Sequence, residues 1–125
     1  MELSKYFQSI IEQDRCPVGI CNMEHEIMYM NPSAAKKYAG RGGAGLIGRS
    51  LLDCHNEKSG ELIRKVAAWF GESEEHNSMY TFYNKKENRD VYMIALRDES
   101  GALIGYYEKH EYRNRETDEM YCFGE

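Results

Sequence analysis

Three strand-length segments in succession close this chain, and they limit its possible folds more than any other feature. They are Ser78–Tyr83, Asp90–Leu96 and Ala102 to about Tyr112. The polar links Asn84-Lys85-Lys86-Glu87-Asn88 and Asp98-Glu99-Ser100-Gly101 separate them. Links this short join antiparallel neighbours, because a parallel crossover needs roughly a dozen residues or more. A second pair of apolar runs, Val18–Met23 and Glu26–Met30, flanks the polar reversal Glu24-His25 and predicts a β-hairpin. Five strands joined this way predict an α+β fold, a five-stranded antiparallel sheet with helices on one face.

The helices follow from the 3.6-residue period. Leu3, Tyr6, Phe7, Ile10 and Ile11 form one apolar stripe, so residues 1–13 predict an amphipathic N-terminal helix. Pro17 ends any helix before it. Asn31-Pro32 is a start signal, with an acceptor side chain followed by a ring suited to the first helical position. Ser33–Tyr38 then predicts a short helix. Gly40, Gly42, Gly43 and Gly45 surround Arg41 but lack the Gly-Lys-Ser/Thr ending of a phosphate loop, so this stretch is a connector. Leu46–Leu52 predicts a short helical turn. Glu57–Phe70 predicts a longer helix with Leu62, Ile63, Val66, Trp69 and Phe70 on its core face and Gly71 as its cap. Residues 14–112 form the expected domain. Residues 113–125 form a charged tail in which Met120, Tyr121 and Phe123 are candidates for docking.

Composition narrows the function classes. Sixteen Lys and Arg against 21 Asp and Glu give a net charge of −5, which argues against a nucleic-acid partner. No apolar run reaches the roughly 18 residues of a membrane span, and the first residues lack the layout of a signal peptide. A cytoplasmic protein is expected, with Cys16, Cys21, Cys54 and Cys122 as reduced thiols. No cysteine pair has metal-site spacing. The histidines are dispersed, so no metal site is expected.

Several phrases in this order resemble a PAS domain. Gly19-Ile20-Cys21-Asn22, Ile27-Met28-Tyr29-Met30-Asn31 and Ala34-Ala35 look like that family's opening hairpin and first helix. Leu46-Ile47-Gly48-Arg49-Ser50 looks like its next segment, and Leu96-Arg97-Asp98-Glu99-Ser100-Gly101 with Leu103-Ile104-Gly105 like its last hairpin. The stretch Gly48-Arg49 through Cys54-His55 and Lys58-Ser59 is similar to PAS domains found beside hemerythrin-like domains in bacteria and archaea. His110-Glu111-Tyr112-Arg113 departs from the Asp-x-Thr junction that many members carry. The resemblance implies a curved sheet around a small cavity, and sensing of a small molecule or cofactor there.

The resemblance also implies where a ligand would sit. Strand alternation places Val91, Met93 and Ala95 on one face, and the family pattern turns that face inward. Gly105 and Tyr107 are expected to share it, with Cys21 from the first strand. Tyr38, His55 and Trp69 are expected to approach from the helical side. The ligand class is left open. Leu51 stands where flavin-binding members carry their reactive cysteine, so flavin is not expected. For haem, the long helix holds no histidine, and His55 is the candidate ligand, oriented by Asp53 or Asn56. Cys16-Pro17 and Cys54 are the residues a redox reading would use. A different class of reading is a small α+β enzyme that transfers protons with a buried acid, Asp53 or Asp90, and nearby tyrosines. No enzymatic activity is expected on the sensory reading. The stripe Leu3, Tyr6, Phe7, Ile10 and Ile11 needs cover, so a homodimer or a signalling partner protein is expected there.

Overall fold

A computed structural model describes residues 2–124. Helix α1 spans Ser4–Gln13, and the hairpin strands are β1, Gly19–Asn22, and β2, Ile27–Met30. Helix α2 covers Pro32–Lys37. Three short 3-10 turns follow, Ala39–Arg41, Gly43–Leu46 and Leu51–Cys54. Helix α3 spans Glu57–Glu72, and strands β3, Ser78–Asn84, β4, Arg89–Arg97, and β5, Leu103–Tyr112, complete the fold. The strands lie in the order β2-β1-β5-β4-β3, antiparallel where their pairings are resolved. The first hairpin therefore docks on the last strand, across nearly the whole chain. This is the five-stranded α+β sheet expected from the sequence.

The core lies between the sheet and α3. Helix α3 buries Gly60, Ile63, Val66, Ala67 and Phe70, which repeat at helical spacing. They meet Cys21, Ile27, Met93 and Tyr106 from the sheet and Leu46 from the 3-10 segment. Leu62, expected on this stripe, is 47% exposed instead. Trp69 packs against the edge of the core and stacks on His76, ring centroids 4.0 Å apart. The expected glycine cap at Gly71 is also not used, because α3 runs on to Glu72 and ends at Ser73 in extended backbone. Arg97 removes the need for such a cap. Its Nη2 donates to the Phe70 carbonyl at 2.7 Å and the Ser73 carbonyl at 3.0 Å, satisfying carbonyls that would otherwise end the helix unpaired.

The Asn31-Pro32 start signal is seen as expected, with the Asn31 side chain accepting from the Ala34 N–H. Asn31 does more than cap. It is fully buried, and its Oδ1 also accepts from the Val18 N–H at 3.0 Å. Its Nδ2 donates to the Ile11 carbonyl at 2.9 Å and the Cys16 carbonyl at 3.1 Å. One amide thus joins the end of α1, the start of β1 and the start of α2.

Helix α1 buries none of its residues. Leu3, Tyr6, Phe7 and Ile10 are all exposed, while Ile11 is half-buried. Met120, Tyr121 and Phe123 in the tail are exposed as well, so they do not dock on this chain. Arg15 reaches the tail through Asp118 at 3.2 Å. No helix among the described residues is long and apolar enough to cross a membrane.

Candidate functional site

A cavity of about 120 Å³ lies between the sheet and the helical side. Its apolar walls come from Ile27, Leu46, Leu51, Ile63 and Met93, with Gly19 and Ala34 leaving room. Four of the expected site residues, Cys21, Tyr38, His55 and Met93, line it. Four do not. Trp69 is held by its stack on His76, and Ala95 packs against the core without reaching the cavity. Gly105 and Tyr107 are misplaced by a shift of one residue.

A β-bulge explains that shift. Arg97 pairs with Leu103, but Leu96 pairs with Gly105, so Ile104 is an extra residue on β5. Continuing the pairing set by the turn would bring Ala95 opposite Gly105. The bulge instead brings Ala95 opposite Tyr106, Met93 opposite Glu108 and Val91 opposite His110. Strand side chains alternate faces, so one inserted residue exchanges the inward set for the outward set. Tyr107 therefore lies opposite Ile20 and Ile94 on the outer face, where it lines a second cleft with Ile10 and Ile11 of α1. Gly105 serves a different purpose from the one expected. A Cβ there would collide with the Cys21 carbonyl oxygen, so its hydrogen lets β1 approach closely.

The residues that the bulge turns inward carry the polar chemistry of the cavity. Tyr106, Glu108 and His110 all line it. Arg89 Nη1 lies 2.6 Å from His110 Nδ1. A guanidinium can only donate, so Nδ1 must be an acceptor and the ring is neutral, with its proton on Nε2. That Nε2 lies 3.1 Å from Glu108 Oε1. Arg89 is held in turn by Glu87, at 2.8 Å from Nη2. The result is a chain of groups, Glu87–Arg89–His110–Glu108, buried at Arg89 and His110, accessible at its two carboxylate ends and reaching the cavity at Glu108. Burial acts to raise the Glu108 carboxyl, but the hydrogen bond from His110 leads the effects that outweigh it and hold it below its usual range. None of Tyr106, Glu108 and His110 is among the residues expected at the site. Their one signal was the spacing Tyr106-x-Glu108-x-His110, which is visible only once the bulge sets the phase.

Other polar groups complete the lining. Burial pushes the Cys21 thiol up to about 11, which keeps it protonated and unreactive near neutral pH. Burial and the Glu108 charge raise the Tyr38 hydroxyl to about 12. The Tyr106 hydroxyl lies 2.7 Å from His25 Nδ1, and burial raises its pKa strongly. Arg41 and His55 line the cavity but are themselves exposed, which places them at its mouth. His55 Nδ1 donates to the Leu51 carbonyl at 2.9 Å, so this carbonyl orients the ring, whereas Asp53 or Asn56 was expected to. Asn56 instead caps α3, accepting from the Ser59 N–H at 2.8 Å.

This geometry bears on the other chemistries. Pockets for drug-sized ligands measure roughly 300–1,000 Å³. The cavity, at about 120 Å³, is smaller than that, so a porphyrin would enter only with its walls displaced. Asp53 is exposed, and Asp90 sits outside the cavity with the Tyr80 hydroxyl at 2.6 Å and Arg113 at 2.7 Å. Neither is the buried acid that proton transfer was expected to use. The carboxylate that does reach the cavity, Glu108, is shifted toward its charged form.

The model of the PAS fold family matches residues 11–109. The chain belongs to the PAS-fold family. Its fold is similar to the PAS domain of a Colwellia psychrerythraea protein, with a TM-score of 0.66 and 12% identity, covering 90% of this chain and 98% of that one. The PAS domain of Bordetella pertussis BvgS is similar too, with a TM-score of 0.64 and 11% identity over 89% and 86% of the two chains. A sensory box sensor histidine kinase from Vibrio cholerae gives a TM-score of 0.60 and 13% identity over 89% and 92%. Among curated proteins, none matches the chain. The PAS assignment makes this a sensory and signalling domain, and the sheet and cavity described above are the parts such a domain would use.

The ionised state of Glu108 predicts an acid-sensitive fold. A carboxyl whose pKa is lowered on folding stabilises the protein above its unfolded pKa, and that contribution is lost as pH falls through the folded value. Stability is therefore expected to fall as pH drops below the ordinary glutamate value of 4.5, and less steeply in Glu108→Gln. Urea unfolding of both proteins from neutral pH downward measures this. Equal slopes in the two proteins would show that Glu108 is not the titrating group.

Proposed function

We propose that this PAS domain is a non-catalytic sensor that takes a small molecule into the cavity and reports its presence through α1. The cavity carries this reading, because its mostly apolar walls meet one ionised carboxylate, Glu108, whose side chain stays 42% accessible. Asn31 supplies a route outward, linking Val18 and Ala34 beside the cavity to the last turn of α1.

The output side of the proposal is a homodimer or a partner protein on α1 and the adjoining outer sheet face. The accessible surface is 9214 Å², against roughly 6,900 Å² for a compact monomer of this mass. Exposed Tyr6, Phe7 and Ile10 contribute to that excess and are the kind of surface that association covers.

Native mass spectrometry of freshly purified protein, with an absorption spectrum of the same sample, tests the proposal. A colourless dimer carrying a small non-covalent adduct is expected. Bare protein that binds no small molecule would overturn the ligand reading. Light scattering of a variant lacking residues 1–13 is expected to show a monomer. An unchanged dimer would remove α1 from the interface.

A further inference from the structure

We propose that the cavity selects a small ligand with a cationic, hydrogen-bond-donating end, such as a primary ammonium, on an apolar body of a few carbons. This inference rests on the reading of the cavity as a ligand site and adds the chemistry of what enters it.

The charge at the inner end of the cavity sets the sign. Among the described residues, Glu108 has one charge-bearing or titratable partner within ion-pair distance, His110, at 3.1 Å. Arg89 holds that ring neutral by donating to its Nδ1. The imidazole thus gives one hydrogen bond to one carboxylate oxygen and brings no charge of its own. The second oxygen receives no hydrogen bond from the described residues, yet it is not among the buried atoms left without a partner. It is therefore accessible, as is 42% of the Glu108 side chain, and Glu108 is a residue of the cavity lining. The cation that could have neutralised it is engaged elsewhere, since Arg89 contacts Glu87 through both Nε and Nη2. A ligand ammonium at the free oxygen would make a charge-assisted hydrogen bond, roughly twice as strong as a neutral one.

The rest of the lining agrees with this sign. His55 uses Nδ1–H on the Leu51 carbonyl, which leaves Nε2 as the ring nitrogen available at the mouth. The Tyr38 and Tyr106 hydroxyls are pushed away from ionising, so neither competes as an anion. Arg41 is the one cationic side chain in the lining besides the histidines. It is exposed and reaches toward the Cys54 carbonyl at 3.4 Å. A carboxylate ligand pushed past it would meet Glu108, and two like charges in contact in such a site repel strongly. Size limits the body. An engineered apolar cavity of about 150 Å³ holds one benzene, so a chain of about four carbons suits this cavity of about 120 Å³.

Three probes of equal length separate the possibilities. n-Butylammonium, n-butanol and butyrate would be titrated calorimetrically into the full chain at one pH and ionic strength. n-Butylammonium is expected to bind at least about tenfold tighter than either of the others. Glu108→Gln is expected to remove that preference while leaving butanol binding within about twofold. Butyrate binding as well as the ammonium, or butanol matching it, would overturn the inference while leaving the cavity a ligand site. No binding by any probe, together with a bare native mass spectrum, would overturn the ligand reading itself. The order of the three probes on the unaltered protein decides the question even if Glu108→Gln fails to fold.

Discussion

Asn31→Ala is expected to cost the domain about 3–5 kcal/mol, a large part of the roughly 5–15 kcal/mol that holds a typical domain folded. The side chain is fully buried and serves two donors and two close acceptors at once. Truncation leaves the Val18 and Ala34 N–H groups buried without partners, at about 1–3 kcal/mol each. The Ala34 bond among these is also the cap of α2, an interaction typically worth about 1 kcal/mol. Asn31→Asp keeps the acceptor but turns the donor into a buried charge among carbonyls, so it is expected to be no milder. Denaturant unfolding measures the loss. Hydrogen exchange locates it, because the Val18 and Ala34 amides should lose protection first and most. A loss below about 1 kcal/mol for Asn31→Ala would show that water or a backbone shift replaces these bonds.

Gly105→Ala is expected to destabilise the fold by about 2–4 kcal/mol, although it adds a single methyl group. The new Cβ would strike the Cys21 carbonyl oxygen and lie 3.3 Å from the Asn22 Cα. Both are backbone atoms of β1, so no side chain can turn aside to make room. The strand must move, and its pairings of Ile20 with Tyr107 and Cys21 with Tyr106 loosen with it. Gly45→Ala is the control, since nothing lies within 4 Å of a Cβ there and its backbone is not left-handed. That change is expected to stay within about 0.5 kcal/mol of the parent. Urea midpoints of the two variants compare them directly. Equal stability would mean that β1 and β5 can separate at little cost.

The two substitutions bear on sensing as well as on stability. Cys21 lines the cavity, and Gly105 fixes the strand that carries it. Asn31 ties the cavity's edge to α1. A ligand that shifts β1 by a fraction of an ångström would be felt at the last turn of α1 through the Ile11 carbonyl. On the proposed function, milder changes at these positions should uncouple ligand binding from the state of α1 before they unfold the domain.

Much of the fold was legible in the residues themselves because its signals are local. Short polar links fixed the antiparallel connections, Asn31-Pro32 announced α2, and the period of Ile63, Val66 and Phe70 announced the core face of α3. The inward face of β4 came from the family resemblance, since Val91, Met93 and Ala95 alternate with the equally apolar Tyr92, Ile94 and Leu96. What the sequence could not supply was phase and partnership. The bulge at Ile104 depends on how β5 meets β4, and no property of Ile104 itself marks it. That one residue exchanged Gly105 and Tyr107 for Tyr106, Glu108 and His110 in the cavity. The neutrality of His110 likewise depends on Arg89, 21 positions earlier, arriving at Nδ1 across the β4–β5 pairing. The close approach at Gly105 required β1, from the far end of the chain. The sequence by itself determined which elements form and how most of them connect, because turns, caps and periodicity act within a few residues. The tertiary structure alone decided which side chains meet in the cavity and with what charge, because those outcomes depend on strand register between residues far apart in the chain.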